Sequence, residues 1–397
     1  MPPKPETPDV RSLQSALRVH DWKMAVQLGK ALVAQDANNG LVWAMLGEAW
    51  IGLDDDINAA MAYAHAARLL PHHPGVWVNW GSRLERMGQL SDALTCYGTA
   101  LKLSPQMAAV HYNLGTLHER LGHSTEALQS YEAAMRHDPH FAPAYFNAAR
   151  LCQTSGQLSE AMTLCETSIA QAPDLRDAFV LKASILLQMN RPAEALTLLE
   201  HVQQKGVASV LLDIGLGQAK RRLHRTAEAL EHLRSAWTQE PENRLVQSEL
   251  GLTLQSMGRI AEARQAYDAL ADSGFAGYQV RRALLLRSIM GTAEEVRTER
   301  QQFEAEVEKL IAAGIRLTDP ATEVGQTAFF LHYHGQNDRH ALTRLAQLYL
   351  SACPDLAYNA PHTLAHKHSI RTQPRVGFFC QHFVPHVVTV YFGHIIN

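Results

Sequence analysis

The sequence predicts a mainly α-helical protein in three parts. These are a solenoid of eight two-helix repeats over residues 6–277, a helical spacer over 278–372, and the first strand and helix of an α/β domain over 373–397. A 34-residue period, with small residues recurring at fixed positions within it, predicts the solenoid. A five-residue apolar run of strand length after Pro374, Val376–Cys380, predicts the α/β start.

The period is carried by a triplet of residues. A glycine preceded by Leu or Trp is followed by an alanine twelve residues later, and by a tyrosine four residues after that. The triplets are Gly47, Ala59 and Tyr63; Gly81, Ala93 and Tyr97; Gly115, Ala127 and Tyr131; and Gly251, Ala263 and Tyr267. Alanines in the same phase extend the count to eight repeats: Ala25, Ala161, Ala195 and Ala229.

Each repeat is expected to form two packed helices, because glycine and alanine let two helix backbones approach while tyrosine fills the groove beside them. Four glycines are expected to end first helices in the left-handed conformation: Gly88, Gly122, Gly156 and Gly258. The pattern resembles the tetratricopeptide repeat. That resemblance implies a right-handed superhelix with the first helix of each repeat on its concave surface.

Three asparagines occupy one repeat position, directly before the residue that precedes the glycine: Asn79, Asn113 and Asn147. A side-chain amide offers two donors and an acceptor, so a ladder of them can hold the backbone of an extended peptide without reading its side chains. The alternative is coincidence, since exposed asparagines are common. The functional interpretation is favoured because the flanking repeats depart, with Met45, Leu181 and Gly215 at this position, so the ladder is short. The solenoid is predicted to bind protein or peptide segments in its groove.

Beyond the repeats, residues 278–313 read as helix, and Ala328–Tyr349 predicts two helices joined at Gly335, with Asn337 or Asp338 as the cap of the second. This segment resembles the spacer of bacterial SPINDLY-like O-linked N-acetylglucosamine transferases, members of glycosyltransferase family 41. In that family, the spacer joins the repeats to the catalytic region.

The segment RVGFFCQHFVPH, residues 375–386, resembles the start of that family's catalytic region. Two positions depart from the family pattern, because Cys380 replaces a serine and His382 replaces an acidic residue. The resemblance implies the edge of a GT-B type lobe and makes His386 the candidate catalytic residue. It also implies a protein O-glycosyltransferase using a nucleotide sugar such as UDP-GlcNAc, whose binding residues would lie beyond Asn397, so this chain is expected to be an inactive fragment.

The alternative from a different class is a non-catalytic scaffold in which the repeats alone bind partners. A metal site is not expected, because His382 and His386 lie in a proline-containing loop without the spacing of a zinc motif. With 36 basic and 39 acidic residues, nucleic acid is not an expected partner. No apolar run spans a membrane, and five scattered cysteines suit a reduced, cytoplasmic protein.

Overall fold

A computed structural model describes residues 9–357, except for 207–208, 273, 288–290 and 326–327. Contacts divide the chain into an N-terminal unit, residues 1–270, and a C-terminal unit, residues 271–397. The predicted strand Val376–Cys380, the candidate His386 and the whole of 373–397 lie outside the described residues. The described residues are helical or irregular and contain no β-strand, so the predicted α/β lobe stays a prediction.

The N-terminal unit is a superhelix of helix pairs, here called repeats 1 to 8. The first helices are α1 (Val10–Arg18), α3 (Gly40–Gly52), α5 (Pro74–Arg86), α7 (Ala108–Arg120), α9 (Ala142–Thr154), α11 (Arg176–Gln188), α13 (Val210–Arg222) and α15 (Arg244–Ser256). The second helices are α2 (Trp22–Gln35), α4 (Asp56–Leu69), α6 (Leu90–Leu103), α8 (Ser124–His137), α10 (Leu158–Gln171), α12 (Pro192–Gln204), α14 (Thr226–Gln239) and α16 (Ile260–Asp272).

The turn between the two helices has the same backbone form in every repeat. One residue with positive φ follows each first helix, and the four predicted glycines are among these residues. The others are His20, Asp54, Asn190 and His224. The next amide bonds the carbonyl five residues back, as from Gln89 N–H to Leu84 O at 2.9 Å. This bond satisfies a carbonyl that the helix end would leave open.

Inside each pair, the small residues do what the sequence predicts. Ala59, Ala93, Ala127 and Ala263 are fully buried, and the four tyrosines are at most 2% exposed. The tyrosine ring lies against the glycine of its own repeat, so a Cβ added at Gly115 would stand 2.5 Å from Tyr131 Cε1. The tyrosine occupies the space that the missing Cβ leaves.

A second periodic contact was not predicted from the sequence. The fourth residue of four of the eight first helices bonds the carbonyl six residues earlier, in the loop after the preceding repeat. Trp43 Nε1 donates to Ala37 O at 2.9 Å, and Trp77 Nε1 donates to Pro71 O at 3.0 Å. His111 Nε2 and Pro105 O lie 2.9 Å apart, and Gln247 Nε2 donates to Pro241 O at 2.6 Å. In these four repeats the bond fixes the repeat to the one before it.

The C-terminal unit contains α17 (Ala276–Ala283), α18 (Ala293–Ala313), α19 (Pro320–Glu323) and α20 (Arg339–Ala352), with 3₁₀ turns at Phe329–His334 and Pro354–Ala357. The longest helix, α18, starts with a capping box between Thr292 and Glu295 and ends at Gly314, which has a φ of 61°. Phe303 and Val307 of α18 pack in one core with the buried leucines of α20.

Two expectations for this unit need correction. The segment before Gly335 is a short 3₁₀ turn and not an α-helix, and the predicted helix over 278–313 is broken between α17 and α18. The expected cap of α20 is confirmed at Asn337, whose Oδ1 accepts the N–H of Arg339 at 3.0 Å. Asp338 stands at the N-cap position, but its carboxylate bonds the buried guanidinium of Arg300 at 2.7 Å.

Candidate functional site

Side-chain bonds join each first helix from α5 to α15 to the next one. Glu85 bonds Arg120 between α5 and α7, and Glu119 bonds Arg150 between α7 and α9. The run continues with Gln153 to Ser184, Arg222 to the carbonyl of Leu187, and Arg221 to Glu249. Close backbone approach also joins α1 to α3, α9 to α11, α11 to α13 and α13 to α15, whereas no two second helices of neighbouring repeats come comparably close in the described part of the chain. A stack joined on one side curves toward that side, so the first helices form its inner face.

The three predicted asparagines lie on this inner face but are not equivalent. Asn79 Nδ2 donates to Tyr63 Oη at 3.3 Å, and Asn147 Nδ2 donates to Tyr112 Oη at 3.1 Å. The side chain of Asn113 is half-buried and makes no hydrogen bond to another described residue. Two amides are therefore oriented by tyrosine hydroxyls, and the middle one is open.

Two carboxylates on the inner face are already satisfied. Tyr97 Oη donates to Glu85 at 3.0 Å and Tyr131 Oη donates to Glu119, while each carboxylate also bonds an arginine of the next repeat. Burial, with the neighbouring carboxylate, raises the pKa of both tyrosines, so each keeps its proton and stays a donor. Sequence reasoning missed this network because each arginine stands more than 30 residues from its carboxylate and each tyrosine stands 12 residues from it, on a different helix.

The arginines of these pairs remain accessible where the carboxylates do not. The side chains of Arg120 and Arg150 are 46% and 43% exposed, against 18% and 16% for Glu85 and Glu119. Because a guanidinium carries five N–H donors and these pairs use only some of them, the inner face presents donors more than acceptors.

An apolar residue precedes each asparagine in the chain. Val78, Tyr112 and Phe146 are all half-buried, and they occupy the same position in repeats 3, 4 and 5. The inner face of repeats 3 to 5 thus alternates amide groups with apolar patches, a surface suited to an extended peptide and its side chains.

The described residues bring together no group of His, Cys, Asp or Glu that could hold a metal ion. Burial raises the pKa of the thiols, to about 12 for Cys96 and Cys165 and about 11 for Cys152. A thiol with such a pKa is almost entirely protonated near neutral pH and is a poor nucleophile. The described inner face therefore offers binding groups and no reactive thiolate.

Protein-family models for the tetratricopeptide repeat match residues 81–122, and also 120–185 and 221–278. The chain contains tetratricopeptide repeats. The models describe the same helix pairs that the 34-residue period predicts, and they agree with the fold of repeats 3 to 5, 7 and 8.

The chain is similar to several solved structures. The C-terminal part of a TPR repeat-containing protein from Cytophaga hutchinsonii has 13% identity and a TM-score of 0.50, over 61% of this chain and 99% of that one. A tetratricopeptide repeat protein from Parabacteroides merdae has 19% identity and a TM-score of 0.48, over 62% and 97%. PilW, a type IV pilus biogenesis factor, has 19% identity and a TM-score of 0.46, over 53% and 98%.

No curated protein matches the chain with significance. The resemblance to glycosyltransferase family 41 therefore stays a prediction, as does the role of His386. None of the helices in the described ranges is long and apolar enough to cross a membrane. The cytoplasmic location stays a prediction from the sequence.

Proposed function

We propose that this chain is a protein-interaction scaffold that holds an extended segment of a partner protein along the inner face of repeats 3 to 5. The observation that carries this proposal is the placement of Asn79, Asn113 and Asn147 at one repeat position, with the middle amide open. Support also comes from the apolar residue that precedes each asparagine and from the fold, since repeat solenoids expose long curved surfaces.

The tyrosine bonds decide how two of the amides act. Asn79 and Asn147 each donate one N–H to a hydroxyl, which fixes the amide plane. With one N–H used, the carbonyl oxygen and the second N–H can bond a peptide N–H and C=O. The Asn113 amide has no such bond, so both its N–H groups and its oxygen are available to the peptide. The backbone of the partner is thereby held, whatever its side chains.

The charged groups add a preference for acidic segments. Glu85 and Glu119 are covered and satisfied, whereas the outer N–H groups of Arg120 and Arg150 face solvent. A carboxylate on the partner can form a charge-assisted bond to either arginine without displacing the internal pair. We therefore expect a partner segment with Asp or Glu among apolar residues.

Fluorescence anisotropy with labelled peptides tests this function. Three peptides share one apolar frame and differ only in carrying Glu, Gln or Lys at the variable positions. The Glu peptide is expected to bind most tightly, and Asn113→Ala is expected to weaken it by about 2- to 12-fold, equivalent to about 0.5–1.5 kcal/mol for one lost hydrogen bond. Asn38→Ala, in an exposed loop, is the matched control. Equal binding by wild type and Asn113→Ala would contradict the ladder.

The transferase hypothesis is a second proposal, supported by the resemblance of the spacer and of residues 375–386 to that family. The protein is incubated with labelled UDP-GlcNAc and a Ser-containing version of the bound peptide. Sugar transfer that His386→Ala abolishes would favour the enzyme. Peptide binding without transfer would favour the scaffold.

A further inference from the structure

Repeats 7 and 8 enclose a cavity that the proposed peptide groove does not use. It has a volume of about 590 Å³ and lies between α14, α15 and α16, toward the second helices. Leu250, Leu254, Ala266 and Ala269 line its apolar part. Its polar part is lined by Thr238, Glu242, Gln247, Gln265 and the ion pair of Arg234 with Glu262. The ring of Trp237 also lines it and is 46% exposed.

The same place in repeat 2 is filled by the protein's own ring. Trp43 stands at the repeat position of Gln247, and its ring stacks on His65 with a centroid distance of 4.4 Å. His65 stands at the position of Ala269. Trp43 also bonds the closing carbonyl of the preceding repeat, as Gln247 does in repeat 8.

Repeat 3 repeats this arrangement. Trp77 bonds Pro71 O at 3.0 Å and packs in one cluster with Ala67, which stands at the position of Trp237. Rings also stand at this position in repeats 4, 5 and 6, as His111, Tyr145 and Phe179, whereas repeat 7 has Asp213 there.

Repeat 8 therefore keeps the hydrogen bond of this position but loses the ring. Gln247 reaches Pro241 O with its amide, and Ala269 is too small to close the space that His65 closes in repeat 2. The apolar residues that line part of the cavity lack dispersion contacts on their open side, and a planar apolar group of the right size supplies them. Because Gln247 already donates to Pro241 O, an aromatic group that fills this space needs no hydrogen-bond donor.

We propose that this cavity binds an aromatic side chain, Phe or Trp, of a partner protein, which takes the place that Trp43 fills in repeat 2. The half-exposed ring of Trp237 offers a second aromatic surface at the site for the incoming side chain to pack against. This site is separate from the peptide groove, because it lies toward the second helices and does not involve the asparagine ladder.

The test uses the full chain with labelled alanine methyl groups, and N-acetyltryptophanamide as the probe. Ring currents are expected to shift the methyl signals of Ala266 and Ala269 in a saturable manner. Ala62, at the position of Ala266 in repeat 2, is the internal control and is expected not to shift. N-acetylleucinamide, an apolar but non-planar probe, is expected to have a much smaller effect.

Gln247→Trp is the decisive variant, since it restores the ring that other repeats carry. It is expected to abolish the shifts of Ala266 and Ala269 without lowering the melting temperature. If that variant is unstable, Ala269→Leu fills the same space from α16 and must also abolish them. The proposal is overturned if the wild type shows no saturable shift, or if N-acetylleucinamide gives equal shifts. It is also overturned if the shifts persist in a folded variant whose cavity is filled.

Discussion

The packing of Tyr131 against Gly115 makes a quantitative prediction for Gly115→Ala. The new Cβ would stand 2.5 Å from Cε1 and 2.7 Å from Cδ1 of a fully buried ring. The ring cannot swing away freely, because its hydroxyl donates to Glu119. Overpacking of this kind costs about 1–3 kcal/mol, whereas alanine gains about 1 kcal/mol over glycine inside a helix. The severity of the contact favours the upper half of the range, so a net loss of about 1–2 kcal/mol is expected.

Gly98→Ala is the matched control, because Gly98 lies inside α6 and a Cβ there meets nothing within 4 Å. That change is expected to stabilise the chain by up to about 1 kcal/mol. Urea unfolding followed by circular dichroism measures both, with hydrogen exchange in α7 and α8 to localise the loss, since repeat arrays can unfold in parts.

A rescue variant isolates the contact. Repeat 6 pairs Ala183 with Leu199 at the positions of Gly115 and Tyr131, so Tyr131→Leu is expected to recover much of the loss in the double variant. The reasoning is refuted if Gly115→Ala is as stable as Gly98→Ala, or if the loss is the same with leucine at position 131.

Three further predictions concern the turns, acid stability and thiols. His224→Gly is expected to stabilise the folded chain by about 0.5–1 kcal/mol, because a non-glycine residue at φ 61° carries strain. Gly122→Ala is expected to destabilise it by a similar amount, and thermal melts check both. Burial alone would raise the pKa of Asp213, but bonds from His232, Ser235 and Gln239 outweigh it and lower that pKa. The stabilisation that the ionised Asp213 contributes is therefore complete above about pH 4 and is lost as the pH falls through the folded pKa. In urea unfolding, Asp213→Asn is expected to be less stable than wild type at pH 7, and this difference in stability is expected to shrink at pH 3. Cys96 is expected to resist iodoacetamide at pH 8 in the native chain and to react in urea, because burial raises the pKa of its thiol to about 12. Peptide mapping by mass spectrometry checks this. Labelling of Cys96 in the native chain would contradict it.

The repeats were readable from the sequence because their determinants are local. A glycine, an alanine and a tyrosine recur at fixed offsets, and each acts within its own hairpin. The turns at Asn190 and His224 have the same left-handed backbone although glycine is absent. The hydrogen bond from the next amide to the carbonyl five residues back, and the packing of the neighbouring helix pairs, stabilise that conformation.

The candidate site was readable only in part. The row of asparagines follows from the period, but the open state of Asn113 depends on which tyrosine hydroxyls reach its neighbours. The pairing of Glu119 with Arg150, and the cover that Tyr131 gives that carboxylate, join residues of different helices. No short-range pattern encodes those distances.

The sequence by itself determined the helix pairs, their 34-residue step and the small residues that let them close, because helix contacts within a hairpin repeat with the chain. The tertiary structure alone decided which polar groups on the inner face remain available and where Gln247 leaves a ring-sized space unfilled. The physical reason is that both depend on the volume and hydrogen-bonding capacity left after neighbouring repeats have packed, and that remainder is set by side chains from at least two helices at once.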